Sequence, residues 1–404
     1  MTAEATAEAR HTGRAMRFVV LLGVVSLFAD MTYEGARSVT GPFLATLGAS
    51  AAVVGFVSGL GELVGYAVRL VSGYLSDRTG RYWTLTIVGY CVNLLAVPLL
   101  AWAGRWEVAV ALIVAERFGK AVRTPPRDAM LSHAASRTGA GRAFGLHEAL
   151  DQVGAVTGPL IVTAVLMAGG THRTAFAILG IPAIVGISLV IAARLQYPVP
   201  RTMEVPDGGR EERGGSLPPQ FRLYLAGVAL VAAGFADFPL MAYHFARTDA
   251  FAPQTIALVY SMAMAVDAAA ALIWGRLYDR AGLRAMLIAV ALSAAFAPLA
   301  FLGKGWLPLA GVALWGAGMG AQESVMRAAI SRMAPAGRRG TAYGVFNSVY
   351  GAAWFAGSAT MGLLYTRHPA LLVAFSVVAQ LLALPFIRAS ERGGPAANPV
   401  RGEG

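Results

Sequence analysis

The sequence predicts an all-α membrane protein: twelve transmembrane helices in two six-helix bundles related by pseudo-two-fold symmetry. Three observations carry that expectation. Of the 404 residues, 56% are hydrophobic and only 14% charged, so much of the surface has to face lipid. Apolar runs fill the chain at a spacing that suits about 20 residues per bilayer crossing. The two halves also repeat one another.

The apolar runs place helices at 17–38, 51–75, 82–103, 107–124, 142–168, 173–195, 221–247, 253–278, 283–302, 306–331, 340–365 and 369–388. Between the sixth and seventh lies the longest polar stretch, Gln196 to Gln220, rich in Pro, Gly, Arg and Glu. Such a composition reads as a flexible linker. The expected organisation is therefore a tail over 1–16, a bundle over 17–195, a linker over 196–220, a second bundle over 221–388 and a tail over 389–404.

The repeat is carried by matched segments. Gly73-Tyr74-Leu75-Ser76-Asp77-Arg78-Thr79-Gly80 recurs 202 residues on as Gly275-Arg276-Leu277-Tyr278-Asp279-Arg280-Ala281-Gly282. Phe28-Ala29-Asp30 recurs at Phe235-Ala236-Asp237, an offset of 207, and Gly158 falls on Gly357 at an offset of 199. Copies that begin on the same side of the membrane form a parallel repeat, which implies a central cavity between two halves.

Charge and cysteine content narrow the function classes. The net charge of +11 would suggest a nucleic-acid partner on a soluble domain, but here the arginines gather at every second junction between apolar runs. Arg78 and Arg81, Arg137 and Arg142, and Arg276, Arg280 and Arg284 mark such junctions, while Arg105, Arg173, Arg247, Lys304 and Arg367 stand almost alone at the others. That asymmetry puts both termini and the linker in the cytoplasm. Cys91, the single cysteine, leaves neither a disulfide framework nor a thiolate metal site. The polar start, Met1 to Arg17, contains no apolar stretch ending in a cleavage site, so no signal peptide is expected.

Two motifs point to a family. Gly73, Asp77, Arg78, Gly80 and Arg81 form Gly-x-x-x-Asp-Arg-x-Gly-Arg between the second and third helices. The glycines permit a tight turn and close helix approach, Asp77 can accept from a helix N-terminus, and the arginines can pair with nearby acids. The segment resembles the signature of the major facilitator superfamily, with a weaker echo at Gly275 to Arg284. The resemblance implies the major facilitator fold, no cofactor, transport of a small molecule, and a gating network in which Asp128 is the partner. Gly154, Gly158 and Pro159 in the fifth helix are similar to the Gly-x-x-x-Gly-Pro motif of the superfamily's proton-driven exporters, which implies export. Four-residue spacing puts both glycines on one helix face for close packing, and Pro159 permits a bend.

Ionisable side chains at bilayer depth are costly and mark candidate sites. Counting from Arg17 places Asp30 roughly 20 Å in, with Glu34 and Arg37 on the same face. Asp30, Glu34, Glu148 and Asp151 are the proton-coupling candidates, because a carboxyl without a counter-ion at that depth can carry a proton. Tyr33, Arg37, Arg117, His147, Asp237, Gln322, Glu323, Asn347, Tyr350 and Trp354 are the expected substrate contacts, and Arg117 is the expected partner if Asp30 is ion-paired. The lining suits a small amphipathic or cationic compound. Arg37, Arg117, Lys120 and Arg123 could equally receive an organic anion or a metal chelate. A membrane-embedded zinc hydrolase on His147, Glu148 and Asp151 is the rival from another class. Glu148 points about 100° away from the shared face of the other two, and no second histidine follows at ligand spacing. The partners expected are a small-molecule substrate, protons and the lipid of the bacterial inner membrane, with no nucleic acid and a monomeric protein.

Overall fold

The computed structural model describes residues 3–200, 218–333 and 339–391. Most of the expected linker and the C-terminal tail from residue 392 lie outside the described residues. Among those described there is no strand, and the helices form twelve rods. The first six are α1 (Ala3–Thr46), α2 (Ala51–Thr79), α3 (Tyr82–Leu99, prolonged by a 3-10 turn at Leu100–Trp102), α4 (Trp106–Thr138), α5 (Ala140–Met167) and α6 (His172–Ile178 continuing as Gly180–Gln196). The second six are α7 (Pro219–Gly234, then Phe238–Arg247), α8 (Pro253–Ala281), α9 (Leu283–Ser293 and Phe296–Leu302), α10 (Leu307–Ala321, a π-helical segment Gln322–Met326, then Arg327–Met333), α11 (Arg339–Arg367) and α12 (Pro369–Glu391). Nine of the rods, among the described residues, are long and apolar enough to cross a membrane. The other three, α4, α10 and α11, carry much of the polar lining described below.

Two helices run past their expected ends. The α1 helix continues through Pro42 to Thr46, because its last turns are packed: Phe43 and Leu44 are buried, and the Phe43 ring meets Phe176 at 4.9 Å. The α4 helix continues through Pro125 and Pro126 to Thr138. Pro126 has no N–H to give the carbonyl four residues back, and Ser72 Oγ of α2 donates to that Val122 carbonyl instead, at 2.6 Å. A neighbouring helix thus supplies the bond that proline removes, the condition under which membrane helices tolerate it.

The repeat is visible in the packing. A Cβ at Gly158 would stand 2.1 Å from the Met31 carbonyl oxygen of α1, and one at Gly357 would stand 2.0 Å from the Ala233 carbonyl oxygen of α7. Only glycine allows these backbones so close. Gly80 ends α2 at φ +65°, and Gly282 ends α8 at φ +60°, so the repeated glycines sit at equivalent positive-φ turns.

The ends of α1, α7 and α12 that adjoin the chain termini and the linker define one face of the molecule, here the termini face. The two halves meet near the opposite face. Cβ atoms at Gly41, Gly55 and Gly59 would collide with Pro239 of α7, Ser358 and Gly362 of α11, and Phe355 of α11. Toward the termini face the halves approach less closely: a Cβ at Gly344 of α11 comes no nearer than 3.9 Å to Leu70 of α2, and Val71 and Tyr74 of α2, Phe144 of α5 and Leu272 and Ile273 of α8 are exposed. The halves therefore form a V, closed at the opposite face and open toward the termini.

Candidate functional site: the cavity between the halves

The V encloses a cavity of about 880 Å³ when the open mouth and the solvent in it are counted. Its wall from the first half carries Tyr33, Glu34 and Arg37 of α1, Glu62, Tyr66 and Arg69 of α2, and Arg117 and Lys120 of α4. The second half contributes Gln322 and Glu323 of α10 and Phe346, Asn347, Tyr350 and Trp354 of α11.

The base of the cavity is built on a break in α7. Pro239 would strike the carbonyl four residues earlier and offers no N–H, and residues 235–237 leave the helix. The freed carbonyls find side-chain donors: Trp315 Nε1 donates to Ala236 at 2.8 Å, and Ser376 Oγ to Gly234 at 2.6 Å. Asp237, at the N-cap of the second segment, makes no capping bond. Its carboxylate turns instead to Arg37 Nη2 of the other half at 2.5 Å and accepts from Trp354 Nε1 at 3.1 Å. Broken helices of this kind line the binding sites of many carriers.

From that pair a ladder of alternating charge climbs the first half. Glu62 Oε1 lies 3.7 Å from Arg37 and 3.2 Å from Arg117, and Arg117 Nε lies 3.6 Å from Glu116. Asn93 Nδ2 donates to Glu116 at 2.6 Å. Both Arg37 and Arg117 donate to the Tyr33 hydroxyl. A second polar link joins the halves beside this ladder: Tyr260 of α8 donates to Glu34 Oε2 at 2.5 Å. In the π segment, Gln322 accepts from the Tyr350 hydroxyl at 2.8 Å, and such segments recur at functional sites.

Of the expected substrate contacts, Tyr33, Arg37, Arg117, Gln322, Glu323, Asn347, Tyr350 and Trp354 line the cavity, and Asp237 lies directly beneath it. His147 does not line it. It belongs to a separate network inside the first half, where Ser26 Oγ accepts from Arg127 at 3.0 Å and lies 3.3 Å from both Tyr90 OH and His147 Nε2.

The proton-coupling candidates are likewise divided. Glu34 lines the cavity, Asp30 and Asp151 belong to the inner network, and Glu148 is exposed. Asp30 pairs with Arg123 at 3.5 Å, not with the expected Arg117. The reason is depth: α1 and α4 are antiparallel, so Arg117 is level with Tyr33 and Arg37, while Arg123, further toward the termini face, is level with Asp30.

The gating residues are engaged separately. Asp77 accepts from the Tyr82 hydroxyl at 3.3 Å, Arg78 donates to the Tyr74 hydroxyl at 2.9 Å, and Arg81 stands at the N-cap position of α3 without a side-chain capping bond. Asp128 pairs with its neighbour Arg127 at 2.8 Å. Neither Asp77 nor Arg81 is brought to Asp128 in this open-V state. Gly73 faces Pro125 of α4, and Gly154 and Gly158 pack α5 on α1, with a Cβ at Gly154 falling 2.3 Å from the Leu27 carbonyl oxygen, while Pro159 follows inside the same helix. Sequence reading missed Glu62, Tyr66, Arg69 and Tyr260. The signal for Glu62 was present, since it is an acid well inside the apolar run 51–75. Among the described residues no group of three or more His, Cys, Asp or Glu side chains gathers as a metal site.

The sequence profile of the Major Facilitator Superfamily matches residues 22–358, with a further match over 223–403. The chain belongs to the Major Facilitator Superfamily. This superfamily member is a multi-pass membrane protein and a secondary carrier. It is 43% identical over 375 residues, 92% of each chain, to an uncharacterized protein of Mycobacterium tuberculosis (strain ATCC 25618 / H37Rv). It is 32% identical over 140 residues, 35% of each chain, to an uncharacterized MFS-type transporter of Methanocaldococcus jannaschii. Among solved structures, the carrier's fold matches a bacterial homolog of the human lysosomal transporter Spinster in its inward-facing, unoccupied conformation. That match has a TM-score of 0.74 at 18% identity, covering 94% of this chain and 97% of that one. The nucleoside transporter NupG matches at 0.68 and 11% identity, with 93% and 98% covered. At such identities the likeness is one of fold alone.

Proposed function

We propose that this carrier exports a small amphipathic solute across the cytoplasmic membrane in exchange for protons, by rocking its two halves about the central cavity. The observation that carries the reading is the pair of polar contacts across the halves at the cavity base, Arg37 with Asp237 and Glu34 with Tyr260. They latch the face opposite the mouth, and each of them uses a carboxyl, of which Glu34 has no cationic partner in its contact. With the arginine-rich termini face in the cytoplasm, the structure corresponds to an inward-open state. A proton on Glu34 replaces a charge-assisted bond by a weaker neutral one, and a solute in the cavity competes for Arg37. Each event loosens the latch, whereas the empty, deprotonated carrier stays held. An exchanger needs that restriction, because a ligand shifts a conformational equilibrium only by its differential affinity for the two states. The Gly154, Gly158 and Pro159 motif and its likeness to exporters support the direction.

The experiment uses proteoliposomes loaded with a pH-sensitive dye. A solute that raises the thermal midpoint of the purified protein is added, and lumen pH and solute flux are followed together. Proton movement opposite to solute movement is expected, with Glu34→Gln abolishing the proton signal while labelled solute still exchanges. Solute flux at full rate with no proton movement overturns the proposal.

A further inference from the structure

We propose that Lys120 is the anion-recognising residue of the cavity, and that the transported solute is an amphipathic organic anion with its acidic group on Lys120 and its apolar body along α11. The inference rests on the cavity being the transport site and adds the chemistry of what enters it. The first observation is compositional. Of the 33 cationic residues, only Lys120 and Lys304 are lysines. Lys304 lies exposed in the turn before α10, so the one lysine within the membrane-spanning helices faces the cavity.

The second observation concerns partners. Each arginine of the charge ladder is taken: Arg37 by Asp237 and Glu62, Arg117 by Glu62 and Glu116. The Lys120 ammonium instead sits over the Tyr33 ring, 3.7 Å from its centroid. Among the described residues it forms no ion pair, although Glu116 and Glu62 lie near enough to feel its charge. An ammonium is a compact charge on a flexible stem with three donors, suited to anionic groups of varied shape. The acids offer a cation less. Glu34 is bonded by Tyr260 and Glu62 lies between two arginines, while Glu323 is exposed at the mouth, where water screens its attraction.

The third observation is the facing wall. Phe346, Tyr350 and Trp354 follow one another at four-residue intervals, with successive ring centroids 5.4 Å apart, and Tyr66 meets Tyr350 at 5.5 Å. A stack of this kind accepts a flat apolar body without a charge of its own.

The test uses the full-length protein in nanodiscs and its two lysines. Methyl acetyl phosphate, a small anionic acetyl donor, and a neutral acetyl ester are applied in parallel, and acetylation of Lys120 and Lys304 is counted by mass spectrometry. The neutral reagent corrects for accessibility and nucleophilicity. The Lys120 to Lys304 ratio is expected to rise about ten-fold or more with the anionic donor, as a site that concentrates anions requires. Benzoate should protect Lys120 at concentrations about ten-fold below acetate, because its ring gains the aromatic wall. Equal ratios for the two donors, or no labelling of Lys120 by either, overturn the anion assignment. Equal protection by benzoate and acetate overturns the apolar-body assignment. These readouts involve no transport, so loss of proton exchange with anion labelling intact strikes the exchange mechanism alone.

Discussion

Gly41→Ala is expected to open the face that the structure holds closed. A Cβ at Gly41 would lie 1.9 Å from the Pro239 carbonyl oxygen, 2.9 Å from its carbon and 3.0 Å from the Tyr243 nitrogen. These are backbone atoms and cannot rotate away. Restoring ordinary van der Waals separation requires α1 and α7 to part by about 1.5 Å at that point. Overpacking of this size costs about 1–3 kcal/mol. Because the two helices belong to different halves, the cost falls on the closed-face state alone and moves the equilibrium toward separation by about 5- to 150-fold. The measurement is a distance distribution between spin labels at Arg105→Cys and Lys304→Cys in a Cys91→Ser background. Both sites are exposed turns of the closed face, one in each half. Gly158→Ala is the control: its Cβ would fall 2.1 Å from the Met31 carbonyl oxygen, an equal collision but inside the first half, so it should lower the thermal midpoint and leave the distances alone. The reasoning is refuted if Gly41→Ala keeps the parent distribution and loses only stability, as the control does.

Asp237→Ala takes from Arg37, whose side chain is 10% exposed, its nearest carboxylate and leaves it only Glu62 at 3.7 Å, and should cost about 1–3 kcal/mol; adding Arg37→Met should recover part of the lost thermal midpoint, and additive losses would deny the coupling. Asp30→Asn should destabilise by leaving Arg123, 1% exposed, without its counter-charge; rescue by Arg117→Met instead of Arg123→Met would contradict the pairing. Asp77→Asn should leave this open-V state intact, since only the Tyr82 bond is touched, while slowing transport and shifting the spin-label distances toward it; unchanged turnover would remove Asp77 from gating. A cysteine at Gly208 should react with impermeant reagents only in inverted vesicles, and labelling in intact cells would reverse the orientation.

Part of the site was legible one residue at a time. Asp30, Glu34, Arg37, Arg117 and Asp237 announce themselves because a charge inside an apolar run is expensive wherever the helix packs. Glu62 obeys the same rule, and overlooking it hid the centre of the charge ladder. Which charge meets which was not legible. Asp30 finds Arg123 and Glu34 finds Tyr260 because of relative depth and rotation of helices far apart in the chain, and spacing along one helix is silent on both. His147 shares a face with Asp151, yet the packing of α5 on α1 turns it into the first half and away from the cavity.

The sequence by itself determined the membrane-spanning class, the twelve helices, the duplication and the shared glycine face of α5, because these follow from local hydropathy, side-chain size and allowed φ. The tertiary structure alone decided where that local logic is overruled. Phe28-Ala29-Asp30 and its copy Phe235-Ala236-Asp237 have the same residues, but the first stays helical while the second breaks. Pro239 forces the second break, and Trp315 and Ser376 stand ready for the freed carbonyls. Pro125 and Pro126 read as a helix end and are not, because Ser72 of another helix supplies the missing donor. In a bilayer no water can satisfy a freed backbone group, so whether a proline ends, bends or merely interrupts a helix depends on which side chain its neighbours bring to it.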